Sequence, residues 1–302
     1  MSVLVVGSIA LDTLRMPDGK VYRDVPGGSC TYFIHSAYFF APVRVVGVVG
    51  GDFPKKCLRE FERRGVDLAG LQVLPGKTFQ WHGTYMKNLN ERKTDALHFG
   101  VLETFNPVLP KKYLDSKFLF LACAQPELQM RVLDQVKGKP LAVCDTIEVY
   151  INNSRKALEK LIRRCQGMIV NDAEARLISG EDNLVAAAAG MLKKFRLEFV
   201  ALKKGEHGAL LATREGILPI PAYPLVRVVD PTGAGDCFAG GFMGTLARLG
   251  RTDMKSLKTA AVNATTVASY CCQGVALSGL DKLALAQVRE RAAKFAGMTR
   301  LG

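Results

Sequence analysis

Residues 228–244 read VVDPTGAGDCFAGGFMG, which sets a carboxylate, Asp236, directly after Gly233, Ala234 and Gly235. Small residues at a helix start let backbone N–H groups approach a phosphate, and the positive end of the helix dipole favours the anion. A turn built only to hold phosphate has no use for a fixed negative charge beside it. A general base does, because it must be anionic and must reach the proton that it removes. The arrangement predicts a turn whose N–H groups stabilise charge on a transferring γ-phosphoryl group, while Asp236 deprotonates an attacking hydroxyl. The dipole is expected to favour the ionised form of Asp236. Without the carboxylate, Gly-Ala-Gly would serve equally well as a capped helix start packed tightly on a strand.

Other polar residues gather where apolar runs end: Asp12, Asp145, Asn171 and Lys203. Asn171 and Glu174 have the spacing of a helix cap as well as that of a functional pair. Asp145 could sit near magnesium or cap a turn, and Lys203 could be a surface charge. Gly76-Lys77-Thr78 has the ending of a phosphate-binding P-loop, but position 71 is Leu and no helical pattern follows, so that motif is rejected. The four histidines (35, 82, 98 and 207) are not clustered, and none receives a role.

Six apolar runs, 3–7, 43–50, 117–123, 139–145, 167–171 and 197–205, read as buried parallel strands. Helical patterns over 54–64, 126–137, 153–165, 172–179 and 183–195 separate them, and further helices are expected over 234–249, 253–271 and 283–297. The alternation predicts a doubly wound α/β sheet, whose ligands bind beyond the carboxyl ends of its strands. Two stretches break the rhythm. Residues 12–28 carry a Pro-Asp-Gly hairpin signal, and 76–100 alternate with aromatics, so a small separate β-layer at the sheet edge is expected. Phe79, Trp81 and Tyr85 alternate there, either as one buried face or as rings that stack on a nucleobase or sugar.

The chain has 302 residues, 48% of them hydrophobic, and a net charge of +13. That charge suits acidic small molecules; no zinc-finger, helix-turn-helix or RNA-recognition spacing supports nucleic acid as a partner. No apolar run approaches membrane-span length. Eight cysteines without a CxxC pair, and an N-terminus without signal-peptide features, point to reduced thiols in the cytoplasm.

The segment DPTGAGDCFAGGFMG resembles the C-terminal signature of the ribokinase-like (PfkB) family of sugar and nucleoside kinases, through Asp230, Gly233, Ala234, Gly235, Asp236 and Gly240. The resemblance continues along nearly the whole chain. VGSIALD is similar to the family's opening strand and implies that Asp12 binds substrate hydroxyls. PGGS implies a hinge at Gly27 and Gly28 under the substrate. VGVVGGDF is similar to the following strand and turn, although the glycine usual after Gly-Asp is absent. NDAEARLISG implies that Asn171 and Glu174 help position magnesium and phosphates, largely through water. KKGEHGALL implies a loop along the nucleotide, with Lys203, Gly205 and Gly208, and Asn263 matches a position near the adenine. Asp230 and Thr232 match a site that often holds a monovalent cation such as K+. Where the family commonly has an asparagine contacting the sugar, this sequence offers Tyr32.

The resemblance implies a single ribokinase-like domain over 1–302: a doubly wound, mostly parallel sheet flanked by helices, with a discontinuous β-sheet lid at roughly 12–28 and 76–104. It implies ATP and Mg2+ as cofactors, K+ as a further one, and transfer to a hydroxyl, a CH2OH above all, of a sugar. A nucleoside is the alternative acceptor. A catalytically silent binding protein of the same fold is a second alternative, which has no need of Asp236. A homodimer could form through the exposed edge of the lid sheet.

Overall fold

The computed structural model describes residues 1–89 and 91–298. Asn90 of the expected lid, and 299–302 of the expected domain, lie outside the described residues.

The apolar runs form one nine-stranded sheet. In chain order its strands are β1 (Val3–Val6), β4 (Val43–Gly50), β5 (Asp67–Leu74), β8 (Phe118–Leu121), β9 (Leu141–Cys144), β10 (Gly167–Asn171), β11 (Phe199–Lys203), β12 (Ala209–Thr213) and β13 (Gly216–Ile220). Across the sheet the order is β13-β12-β11-β10-β9-β8-β1-β4-β5, parallel except for the β12–β13 edge. β1 and β8 are buried along their whole length, as strands covered on both faces must be. Three strands beyond the expected six, β5, β12 and β13, complete the two edges. The half-exposed, mixed residues of β5 and β13 give a weaker pattern than a continuous apolar run, whereas β12 is buried and short.

Helices cover both faces. On one lie α1 (Ser29–Ala37), α2 (Lys55–Arg63), α8 (Ala234–Leu249) and α9 (Met254–Cys271), which bury Phe33, Phe61, Phe242 and Leu257. On the other lie α3 (Pro126–Gln135), α4 (Glu148–Asn153), α5 (Arg155–Ile162), α6 (Asp172–Ser179) and α7 (Leu184–Phe195), burying Val132, Ile151, Leu158, Ile178 and Met191. Each such side chain contributes roughly 1.5–3 kcal/mol relative to exposure. α10 (Leu285–Met298) packs outside α9 and buries Val288. α1 was not among the expected helices. Every one of its residues is buried, so it carries no amphipathic stripe. The expected 153–165 helix begins at Arg155, as α5, and the short α4, which was not expected, precedes it across Ser154. The signature glycine Gly240 lets α8 lie against α1, because a Cβ there would fall 2.4 Å from the Phe33 carbonyl oxygen.

The lid is a separate four-stranded sheet, ordered β3 (Val21–Gly27), β2 (Ala10–Arg15), β6 (Gln80–Tyr85), β7 (Arg92–His98). Its two hairpins are antiparallel, and a parallel β2–β6 pairing joins them. Contrary to the expectation of a layer at the sheet edge, β2 leaves from β1, an interior strand. This places the lid over the middle of the sheet, where β1 and β8 end. Asp12 lies within β2 rather than in a turn after β1. Cross-strand partners project to the same side of a sheet. Tyr85 is opposite Arg92, Trp81 opposite Leu97 and Leu14 opposite Gly83. Because the Tyr85 hydroxyl bonds Thr232, the face bearing these residues looks down on the Gly-Ala-Gly-Asp turn.

Candidate active site

α8 begins at Ala234 without a side-chain cap, and its N-cap, Gly233, has a φ of 72°, the left-handed region that a residue with a Cβ avoids. A Cβ at Gly233 would also lie 2.1 Å from the ring of Tyr32, which supports the turn from α1. Tyr32 is 1% exposed, and its phenol oxygen is buried without a partner within electrostatic reach of Asp12 and Asp230. The start of α8 therefore presents an uncapped N-terminus to the space under the lid.

Asp236 stands there in the first turn. Burial pushes its carboxyl above the usual carboxylate range, opposed by the charges of Lys203 and Arg92 and by its own backbone N–H. The dipole argument alone favoured ionisation; desolvation outweighs it. A carboxyl raised in this way is a stronger base once ionised.

Lys203 ends β11 beside Asn171 of β10, and its ammonium lies against Gly235, where a Cβ would be 2.8 Å from Nζ. Its charge opposes the burial-driven rise of Asp236, Glu174 and Asp145 alike. Asp145 is buried, with Oδ1 unpartnered, and its carboxyl is pushed well up, first by burial and then by the charge of Asp236. Asn171 and Glu174 form a reciprocal capping box on α6: each side chain accepts the other's backbone N–H at 2.8 Å. The cap aims Glu174 into the cluster, so the structural and functional readings of this pair coincide.

Arg92 was missed in the sequence. It hangs from the lid's inner face, and its charge reaches both Asp236 and Glu174. A lone arginine on an exposed strand gives no local signal.

Asp12 faces the same space. It is 4% exposed with Oδ1 unpartnered, and burial together with the charges of Asp236 and Asp230 pushes it up to about 7. Gly27 makes room for it, since a Cβ there would overlap its carboxylate, while Gly28 has a φ of 84° and a Cβ on it would lie 2.7 Å from the Ser8 carbonyl oxygen.

Asp230 is fully buried behind the turn. Its Oδ1 accepts the Thr232 N–H at 2.8 Å and the Thr232 hydroxyl at 2.5 Å, and its Oδ2 accepts the Ala276 N–H at 2.8 Å. The same hydroxyl is 2.7 Å from the Tyr85 phenol, which latches the lid to the turn. Tyr85→Phe removes one buried hydrogen bond, typically about 1 kcal/mol. We expect intact folding and an acceptor KM several-fold higher, measured by steady-state kinetics.

The remaining expected residues lie further out. Gly205 and Gly208 shape the β11–β12 connection, pinned by a 2.7 Å bond from the Lys204 N–H to the Gly208 carbonyl. Asn263 is buried on α9, with its amide donating to Thr245 of α8 at 3.0 Å. A surface hollow of about 420 Å³ lined by Arg163, Arg196 and Arg214 lies at the opposite end of the strands, away from these groups.

The cluster holds four carboxylates, Asp12, Asp145, Glu174 and Asp236, against the two cations Lys203 and Arg92. That imbalance, with the unpartnered Asp145 oxygen, suits a magnesium ion brought in on phosphates. Among the described residues no group of three or more His, Cys, Asp or Glu is arranged to cage a metal. Mg2+ typically keeps several waters and takes only one or two carboxylates alongside substrate phosphates.

Comparison with known proteins agrees with this chemistry. The model of the pfkB family carbohydrate kinases matches residues 2–280. A cytidine kinase of Thermococcus kodakarensis is 33% identical over 259 residues, 82% of this chain and 89% of the relative. A Burkholderia thailandensis nucleoside kinase in complex with inosine superposes with a TM-score of 0.81 at 21% identity, covering 98% of each chain. An E. coli protein assigned as a ribokinase II, in complex with ATP and Mg2+, gives 0.80 at 19% identity over 97% of this chain and 99% of its own. At those identities the two structures establish the fold.

Proposed function

The chain belongs to the pfkB family of carbohydrate kinases, and on that premise we propose that its acceptor is a nucleoside phosphorylated on its 5′-CH2OH. It is an ATP-dependent phosphotransferase with an alcohol acceptor, of the kind that acts on sugars or nucleosides. The observation that carries the finer reading is the pairing of Asp12 with Asp236: two buried carboxyls that feel each other's charge beneath a lid with an aromatic inner face. A furanose fits between them, its diol on Asp12 and its CH2OH at Asp236. The aromatic lid face and the cytidine kinase relative favour a nucleoside over the bare sugar that the sequence put first.

Asp236 takes the hydroxyl proton, and the oxygen attacks the γ-phosphorus in line as its bond to the β,γ-bridging oxygen breaks and ADP leaves. The Gly233–Asp236 turn, Lys203 and Arg92 stabilise the equatorial oxygens. Gly205 and Gly208 line the nucleotide, with Asn263 toward the adenine. Glu174, oriented by Asn171, would hold a magnesium ion through water, and the ion would supply positive charge to offset that of the phosphates. Asp230 and Thr232 would hold a monovalent cation, with the buried Asp230 carboxylate that organises the turn supplying the negative charge such an ion needs. Tyr32 props the turn while its phenol reaches toward the Asp12 side of the substrate.

The eight free cysteines favour a reducing cytoplasm, and the exposed β7 strand offers an edge for pairing with a second copy. No helix of the described residues is long and apolar enough to cross a membrane.

A coupled assay over cytidine, adenosine, inosine, ribose and fructose, with and without K+, tests the reading. Nucleosides are expected to be turned over with the higher kcat/KM, and a sugar that outpaces every nucleoside would overturn it.

Asp12 adds a pH signature. Its carboxylate must be ionised to accept from a diol, so kcat/KM for the acceptor should rise with pH through an apparent pKa of about 7. The sign reverses for stability. A raised folded-state pKa stabilises the protein below the unfolded value of 3.8, and that contribution is lost as pH climbs through 7. Asp12→Asn should abolish the pH step with most of the activity, yet melt at a higher temperature than wild type at pH ~8.

A further inference from the structure

The inner face of the lid carries more apolar surface than the fold itself uses. Leu97 is 41% exposed and Phe99 45% exposed, and Phe79 stacks on Phe99 with ring centroids 5.8 Å apart. Among them Trp81 is fixed with unusual definition for a partly exposed side chain. Its benzo ring lies over Gly83, where a Cβ would come within 2.2 Å of the indole. Its indole N–H donates to Thr94 Oγ1 at 3.1 Å, and the Arg92 guanidinium stands 6.0 Å from the ring centroid. The strand thus gives up a side chain at position 83, and the ring's one polar group is satisfied within the sheet.

The position of this ring names its occupant. The Trp81 backbone N–H faces the Asp12 carboxylate, so the indole projects from the residue next to the diol-binding group. Arg92, at its other flank, is the lid charge that reaches Asp236. A ribose held by Asp12 with its CH2OH toward Asp236 sends its glycosidic substituent along the lid, past Trp81.

We infer that Trp81 is the residue that selects a nucleoside over a bare sugar, its indole stacking on the heteroaromatic base of the acceptor. The inference rests on the nucleoside reading above and assigns it to one side chain. Stacking of a base on an aromatic side chain is worth ~1–3 kcal/mol, which corresponds to roughly 5- to 150-fold in affinity. Recognition of this kind tolerates different bases, because each has a π-face.

Trp81 is the sole tryptophan of the chain, so its emission reports on this ring alone. Cytidine and adenosine, titrated into the full-length protein without ATP, are expected to quench it saturably, and ribose is not. Trp81→Leu should raise the nucleoside KM about 5- to 150-fold, with kcat/KM for ribose changed by less than about three-fold. Trp81→Phe, which keeps a ring over Gly83, should recover most of the loss and guards against a misfolded Leu variant.

A nucleoside that is turned over without changing the emission, or an equal change with ribose, would overturn the role of Trp81 and leave the nucleoside reading standing. An emission change that follows protein concentration without ligand would mean that a second copy covers the face, which also overturns it. If calorimetry and turnover detect no nucleoside at all, the broader reading fails first and takes this one with it.

Discussion

Asp236→Asn is expected to lower kcat by about three to five powers of ten, the loss that follows removal of a catalytic base. The amide keeps the shape of the carboxylate, so the start of α8 and the packing of Gly233 on Tyr32 should persist. Electrostatics supply a signature that a merely structural role would lack. Asp236 is a negative charge placed where phosphate must lie, so its neutralisation removes a repulsion at the anion-binding turn. ATP affinity should therefore stay equal or rise while turnover collapses. Calorimetric titration of ATP beside coupled kinetics reads both. A variant within about three-fold of wild-type kcat, or one that loses ATP binding in step with activity, would remove Asp236 from the role of base. The wild-type kcat should also fall on the acid side. Burial raises the Asp236 carboxyl, and its protonated fraction cannot accept the hydroxyl proton.

The glycine-rich start of α8 and the parallel sheet were readable because each rests on a local rule. Strands buried on both faces must be continuously apolar, and a phosphate turn followed by a base needs glycine, a small residue and a carboxylate in order. What escaped depends on contacts far apart in sequence. α1 is buried on every side, so it lacks the stripe that marks a surface helix. Arg92 gains meaning only when the lid folds over the turn, and Lys203, read as part of the nucleotide loop, meets Gly235 and Asp236 only because β11 lies beside β10. Asn171 and Glu174 show the opposite case: the capping spacing was plain, and the structure makes the same bonds aim Glu174 at the cluster. The balance at Asp236 was misjudged because helix dipoles can be read from a sequence and desolvation cannot.

Lys203→Met carries the second large effect, and its argument turns on charge rather than contact. The ammonium is the cation whose field opposes the rise of Asp145, Glu174 and Asp236 together. Methionine retains the length and apolar stem and removes only the charge. Loss of one preorganised group facing the developing phosphoryl charge costs ~2.7–4 kcal/mol, or about a hundred- to a thousand-fold in kcat. The pH profile separates this from a packing defect. Without Lys203 the Asp236 carboxyl rises further, so the acid limb of the kcat profile should move to higher pH, and Lys203→Arg should move it back. In the Asp236→Asn background no base remains to titrate, and the cost of Lys203→Met should shrink to its phosphate contribution, which exposes the coupling as a non-additive term. An unmoved acid limb with fully additive losses would show that Lys203 serves the nucleotide alone. A moved limb with non-additive losses would mean that one ammonium sets both the proton affinity of the base and the charge felt by the phosphate it attacks.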